Sequence, residues 1–356
     1  MTRTLDFFPD WRRGNPFLSM LFARLGELDV SPRPVDGLRR HLVRAVESND
    51  PGVLNVHWTT PVLRGAVDED EARTRTARLS DLLDAFGTAG GRLVWTVHNA
   101  LPHDAAYPEA EAEVCRVLAR HADLVHVLSD QTGAAVAPYF ELDPARTVTI
   151  PHSSYLGVYH DRMRRRRARR DLGLAASDRG LVTLGRIRPY KGLDRLLDAW
   201  GRAPLDDPSL RLLVAGKPSR DAGTADLAAR LAKTPGVLSS LARVPAREVQ
   251  RWMRAADLAV LPYDGILNSG SFLLAETFGL PIVAPRSGAL VSREGAPHVR
   301  LFDPPDLAAV VAGAVRDLVV PPRAAAEARE SALATAAANP PELMAQRFAT
   351  AVAPLF

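Results

Sequence analysis

Four residues, Leu181-Val182-Thr183-Leu184, run directly into Gly185-Arg186-Ile187-Arg188-Pro189-Tyr190-Lys191-Gly192. The chain then places Leu193, Leu196, Leu197 and Trp200 at the spacing of one helical face. A short buried strand that becomes a helix through a glycine-led turn is a βα unit, and such units assemble parallel sheets. The junction presents free backbone N–H groups and the positive end of a helix dipole, a natural seat for an anion. Arg186 adds a two-pronged fork and Lys191 a point charge. A diphosphate fits that combination, although glycine turns with surface cations also occur without a ligand. Composition favours a specific role at 191. Arginine is the habitual cation here, and the only lysines are Lys191, Lys217 and Lys233.

A second segment repeats the design. Leu258-Ala259-Val260-Leu261-Pro262 reads as another buried strand, followed by Asn268, Ser269 and Gly270 ahead of an almost wholly apolar helix. Amides carried by such small residues can approach a phosphate closely. Glu276 lies two turns inside that helix, where a carboxylate needs partners. A ribose with two vicinal hydroxyls would supply them, and so would an ordinary ion pair with a nearby arginine. Gly279-Leu280-Pro281 ends the helix, and Ile282-Val283-Ala284 starts the next strand.

The N-terminal half alternates strands and helices in the same manner. Strands end at His57, at His98-Asn99, at Ser129 and at His152. In parallel sheets covered on both faces, ligands collect at the C-terminal ends of the strands, where these polar residues would point.

The segments GRIRPYKG and, some eighty residues later, NSGSFLLAETFGLPIVAP resemble the nucleotide-binding half of a GT-B glycosyltransferase. The likeness is greatest to the large retaining family 4 of sugar-nucleotide-dependent enzymes. The resemblance implies two Rossmann-like α/β domains facing a central cleft, with the last helix crossing back to the N-terminal domain. It implies that Arg186 and Lys191, after Gly185, hold the donor diphosphate. It assigns the ribose to Glu276 and the base to the backbone near Gly216 or around Arg243-Val244-Pro245. The family's other glutamate falls on Asn268, a departure beside the donor sugar. His98, in TVHN, resembles the histidine that contacts the donor sugar or its phosphate. Gly14 and Asn15 lie in a segment similar to the first strand–helix loop, which edges the cleft near the acceptor or phosphates. His57 and His103 are further acceptor-side candidates.

At 356 residues the chain can hold two cores. The expected domains are an acceptor-binding one at 1–160, a nucleotide-sugar-binding one at 161–338 and a returning helix at 339–356. The arginine run from Arg162 to Arg170 reads as a solvated helix face, with anionic lipid or a polyanionic acceptor as the sharper alternative. No interleaved aromatics or zinc spacing accompany the charge, so nucleic acid is not an expected partner. One cysteine, Cys115, rules out a disulfide within the chain and fits a reducing compartment. No apolar run reaches membrane-spanning length. The expected location is cytoplasmic, with possible peripheral contact at the inner face of the membrane.

The expected activity is hexosyl transfer from a GDP-mannose or UDP-hexose donor to a hydroxyl acceptor, with retention, in bacterial glycan, glycolipid or natural-product biosynthesis. No cofactor and no metal are expected, because GT-B enzymes generally neutralise the leaving diphosphate with protein cations. If the reaction inverts instead, His98, His103 and Asp104 are the candidate bases. A sugar-nucleotide epimerase and a non-catalytic sugar- or lipid-binding scaffold are the competing readings.

Overall fold

The computed structural model describes residues 3–48, 50–103, 105–219 and 224–356; Asp104 lies outside the described residues. The chain forms two compact units. One comprises Met1–His152 with Pro341–Phe356, and the other Ser153–Pro340.

The first unit is built on β1 (Arg3–Phe8), β2 (Val30–Pro34), β3 (Val53–Val56), β4 (Arg92–Val97), β5 (Leu124–Val127) and β6 (Thr147–Thr149). All pairings are parallel, in the order β2-β1-β3-β4-β5-β6. Its helices are α1 (Phe17–Leu21), α2 (Leu38–Glu47), α3 (Thr60–Leu63), α4 (Glu69–Thr88), α5 (Pro108–His121) and α6 (Thr132–Val136). Parallel neighbours require crossover connections, and the helices that supply them cover both sheet faces. That is why every residue of β3 is buried, Asn55 included. The Asn55 amide nitrogen is held inside the sheet, donating to the Val94 carbonyl at 3.2 Å and to Thr96 Oγ1 at 3.3 Å. At the start of α4, Asp68 Oδ1 accepts from the Glu71 N–H at 2.8 Å, and Glu69, Asp70 and Glu71 complement the helix dipole.

The second unit repeats the scheme with β7 (Arg179–Leu184), β8 (Leu210–Ala215), β9 (Val237–Ser240), β10 (Leu258–Val260), β11 (Ile282–Pro285) and β12 (Val299–Phe302). Their order is β12-β11-β10-β7-β8-β9, again all parallel. Its helices are α7 (Arg165–Asp171), α8 (Leu193–Ala199), α9 (Thr224–Lys233), α10 (Ala246–Ala255), α11 (Gly270–Thr277), α12 (Leu307–Ala314) and α13 (Pro322–Ala338). The predicted inner face of α8 is the buried one. Leu193, Leu196, Leu197 and Trp200 join Leu212, Val260, Phe302 and Val311 in one core. Each fully buried leucine contributes about 1.5–3 kcal/mol.

The final helix, α14 (Pro341–Val352), belongs to the first unit. Phe348 packs there against Phe22 and His126, with ring centroids 5.8 and 5.6 Å apart. No helix among the described residues is long and apolar enough to cross a membrane.

The arginine run differs in part from the solvated face expected of it. Arg169 is buried and donates to the carbonyls of Ala175 (2.7 Å), Asp178 (2.6 Å) and Ala255 (3.2 Å). Asp257 gathers Arg165, Arg169 (3.1 Å) and the Gly180 N–H (2.8 Å). Helical spacing puts residues 165 and 169 on one face, so two of the arginines clamp α7 to the start of β10 while Arg164 and Arg166 stay exposed. Asp257→Ala would strand the buried Arg169 charge. Loss of about 3 kcal/mol is expected in urea denaturation, since breaking a buried ion pair exceeds ordinary surface effects.

Candidate active site

In each sheet the strand order reverses at one point, between β1 and β3 in the first unit and between β7 and β10 in the second. Ligands in open parallel sheets bind outside the strand ends at such reversals. The two segments singled out in the C-terminal half follow β7 and β10, so the topology brings them together. Their backbones are tied directly. Thr183 Oγ1 donates to the Val260 carbonyl at 2.7 Å, and the Asp264 N–H donates to the Tyr190 carbonyl at 2.8 Å. Ser271 Oγ donates to the Leu184 carbonyl at 3.3 Å.

Two glycines make the turn possible. Gly192 has φ 60°, and a Cβ there would lie 1.9 Å from the Pro262 carbonyl oxygen. A Cβ on Gly216 would lie 1.8 Å from the Gly185 carbonyl oxygen. Gly216 therefore braces the Gly185 turn from the end of β8.

Lys191 folds back over this turn. Its Nζ lies 3.0 Å from where a Gly185 Cβ would stand and 5.1 Å from the centroid of the Tyr263 ring. The residue is half-buried, and no carboxylate among the described residues pairs with it. Burial holds its ammonium below the usual lysine range. A desolvated cation beside a ring face, with no carboxylate partner among the described residues, is strongly disposed to accept an anion. Arg186 is exposed beside it and likewise pairs with no carboxylate among the described residues. Burial also raises the Tyr263 hydroxyl to about 12, so it remains a neutral donor at neutral pH.

Across the β7–β10 boundary, Ser269 caps α11, its Oγ accepting from the Phe272 N–H at 3.2 Å. The first amides of a helix have no partner within it, so those of Gly270 and Ser271 remain available. Asn268 is half-buried immediately before this cap. Glu276, deeper in α11, is 1% exposed. Its Oε1 lies 3.2 Å from His298 Nε2, and its Oε2 lies 3.8 Å from an Arg293 guanidinium nitrogen. His298 Nδ1 in turn meets Ser331 Oγ at 2.9 Å. Both the arginine considered as a partner and a histidine not foreseen thus reach this carboxylate.

In the first unit, His57 and His98 follow β3 and β4, and His57 Nδ1 lies 3.1 Å from His98 Nε2. Burial, reinforced by neighbouring imidazoles, holds both well below the ordinary histidine range, so both are neutral at pH 7. His98 stacks on Trp58 with centroids 4.1 Å apart, and Trp58 stacks on Trp11 at 4.6 Å. Phe17 meets His98 edge-on at 4.9 Å and packs against His152 at the same distance. Asn15 supports this arrangement, its Oδ1 accepting from the Phe17 N–H at 3.0 Å at the start of α1. Gly14 closes the preceding turn by donating to the Trp11 carbonyl at 3.0 Å. His103 is exposed on the loop after β4. Sequence reading missed the Trp11–Trp58–His98 stack. The usable signal was that Trp58 directly follows the strand-end His57, beside the switch point.

Residues 178–320 match the family model described as Glycosyl transferases group 1. A GDP-mannose:glycolipid 4-beta-D-mannosyltransferase of Xanthomonas campestris pv. campestris is 29% identical over 313 residues, covering 87% of this chain and 81% of the relative. A D-inositol 3-phosphate glycosyltransferase of Geodermatophilus obscurus is 36% identical over 218 residues, 56% of this chain and 45% of that one. Among solved structures, Anabaena HepE in complex with UDP and glucose superposes with a TM-score of 0.76 at 15% identity, over 99% of this chain and 100% of that one. WaaG, a glycosyltransferase involved in lipopolysaccharide biosynthesis, gives 0.61 at 17% identity, over 98% of both. Residues 178–320 are therefore a glycosyl transferases group 1 domain, carried on a GT-B fold by a chain that is a hexosyltransferase.

Proposed function

We propose that the chain transfers a hexose from a nucleoside-diphosphate sugar, GDP-mannose or a UDP-hexose, to a hydroxyl group of a glycolipid. The second unit takes the donor and the first the acceptor. The observation that carries this reading is the half-buried Lys191 ammonium with no carboxylate partner among the described residues, placed at the β7–β10 switch point. The Xanthomonas relative, whose name specifies GDP-mannose and a glycolipid, supports the substrate classes.

Cleavage of the bond from anomeric carbon to phosphate leaves growing negative charge on the diphosphate. Lys191 and Arg186 hold that charge more strongly in the transition state than in the ground state, which is the condition for acceleration. The amides of Gly270 and Ser271 complete the cradle. In the retaining course implied by the family resemblance, the acceptor proton leaves through the departing phosphate.

One observation favours a second course, inversion. The His57–His98 pair is neutral and hydrogen-bonded at strand ends of the first unit, and a neutral imidazole is the form that a general base requires. Asn268, uncharged, cannot supply a carboxylate beside the sugar. The relative named for a β-D-mannosyl product points the same way, since an α-linked donor gives a β product only by inversion. Incubation with GDP-mannose or UDP-hexoses and a glycolipid acceptor tests both levels. Transfer supports the proposed function, and its absence with every donor overturns it. The one-bond carbon–proton coupling at the product's anomeric carbon then assigns retention or inversion.

A further inference from the structure

A groove of about 640 Å³ opens in the first unit beside the C-terminal ends of β1, β2 and β3, between α2 and the α3–α4 segment. Its floor is apolar, formed by Phe8, Leu38, Val62, Leu79 and Leu82, with Trp11 at one side. Its rim is basic. Five guanidinium groups, those of Arg39, Arg40, Arg64, Arg75 and Arg78, face two carboxylates, those of Asp36 and Glu71. Arg75 uses Glu71 at 2.6 Å. The other four arginines are exposed and pair with no carboxylate among the described residues. Crowding like charges around an apolar floor is unfavourable unless an anion relieves it. An acidic protein surface would match the rim and leave the floor unused. A bare sugar would match neither.

We propose that this groove holds the lipid anchor of the acceptor, with a phosphate or diphosphate among Arg39, Arg40, Arg64 and Arg78 and the first hydrocarbon units on the Leu38–Val62–Leu82 floor. The inference rests on the glycolipid reading above and adds the anchor's charge and location. Trp11 links the groove to the site already described, because it lines one and stacks through Trp58 onto His98 in the other. An anchor held here leaves its sugar beside the strand-end histidines.

Isothermal titration of the full chain with farnesyl diphosphate, inorganic diphosphate and farnesol tests the pairing of charge and tail. Farnesyl diphosphate should bind at least tenfold more tightly than either fragment. The double variant Arg39→Ser/Arg78→Ser and, separately, Val62→Asp should each lose at least tenfold while keeping the unfolding temperature and nucleotide affinity of the parent. Equal affinity for inorganic diphosphate would make this a free-phosphate site and overturn the proposal, as would unchanged binding by either variant. The two levels of the argument separate in a transfer assay. No transfer by the parent chain to any lipid-linked acceptor sinks the glycolipid reading. Transfer by the parent with an unchanged KM for that acceptor in the arginine variant sinks only the groove.

Discussion

Replacing Lys191 with alanine lowers turnover at least tenfold. The substitution removes an ammonium that is held over the Tyr263 ring and against Gly185 and that pairs with no carboxylate among the described residues. Its structural contribution is therefore small, and the loss falls on the step that charges the diphosphate. A charge-assisted hydrogen bond is worth about 1.5–3 kcal/mol, and about 1.4 kcal/mol already corresponds to a factor of ten in rate. The measurement is kcat under saturating donor, with unfolding temperature and circular dichroism unchanged. Normal turnover in a folded variant would remove Lys191 from the mechanism. Lys191→Arg is a sharper control, because a larger planar cation must fit where Nζ already lies 3.0 Å from the Gly185 Cβ position.

Replacing Glu276 with alanine has the second large effect, divided between stability and binding. The carboxylate and His298 are both almost fully buried, and Arg293 approaches from the other side. Removing the carboxylate leaves the buried His298 Nε2 without this partner while Ser331 still holds Nδ1, at a cost of about 1–3 kcal/mol. Urea denaturation should show that loss, which is a large fraction of the stability of an ordinary domain. Glu276→Gln separates the two roles. It keeps an acceptor for His298, so much of the stability returns. If the carboxylate also holds the ribose, nucleotide affinity remains reduced in the glutamine variant. Parent-like affinity by calorimetry would confine Glu276 to the His298–Ser331 network.

Strands, helices and their alternation were legible in the sequence because apolar runs in covered parallel sheets are nearly continuous. Leu181–Leu184 and Leu258–Val260 are the clearest cases, each followed by a turn of small or charged residues. The residues proposed for the donor could be singled out for a related reason: Gly185, Lys191, Ser269 and Gly270 occupy two short local stretches. What stayed hidden depends on contacts between distant segments. His298 meets Glu276 across 22 positions, and Trp11 reaches Trp58 only because β1 and β3 are neighbours. The arginine run misled for the same reason. Its partner Asp257 stands 88 positions from Arg169, and no periodicity announces an acid so remote.

The first unit is interrupted: the chain leaves it at His152 and re-enters at Pro341. During synthesis, Phe22 and His126 must therefore wait for Phe348 until the entire second unit has been made. Until then a hydrophobic seam of the nascent protein lies open to solvent and to chaperones. The unit begun first is consequently the one whose chain is completed last.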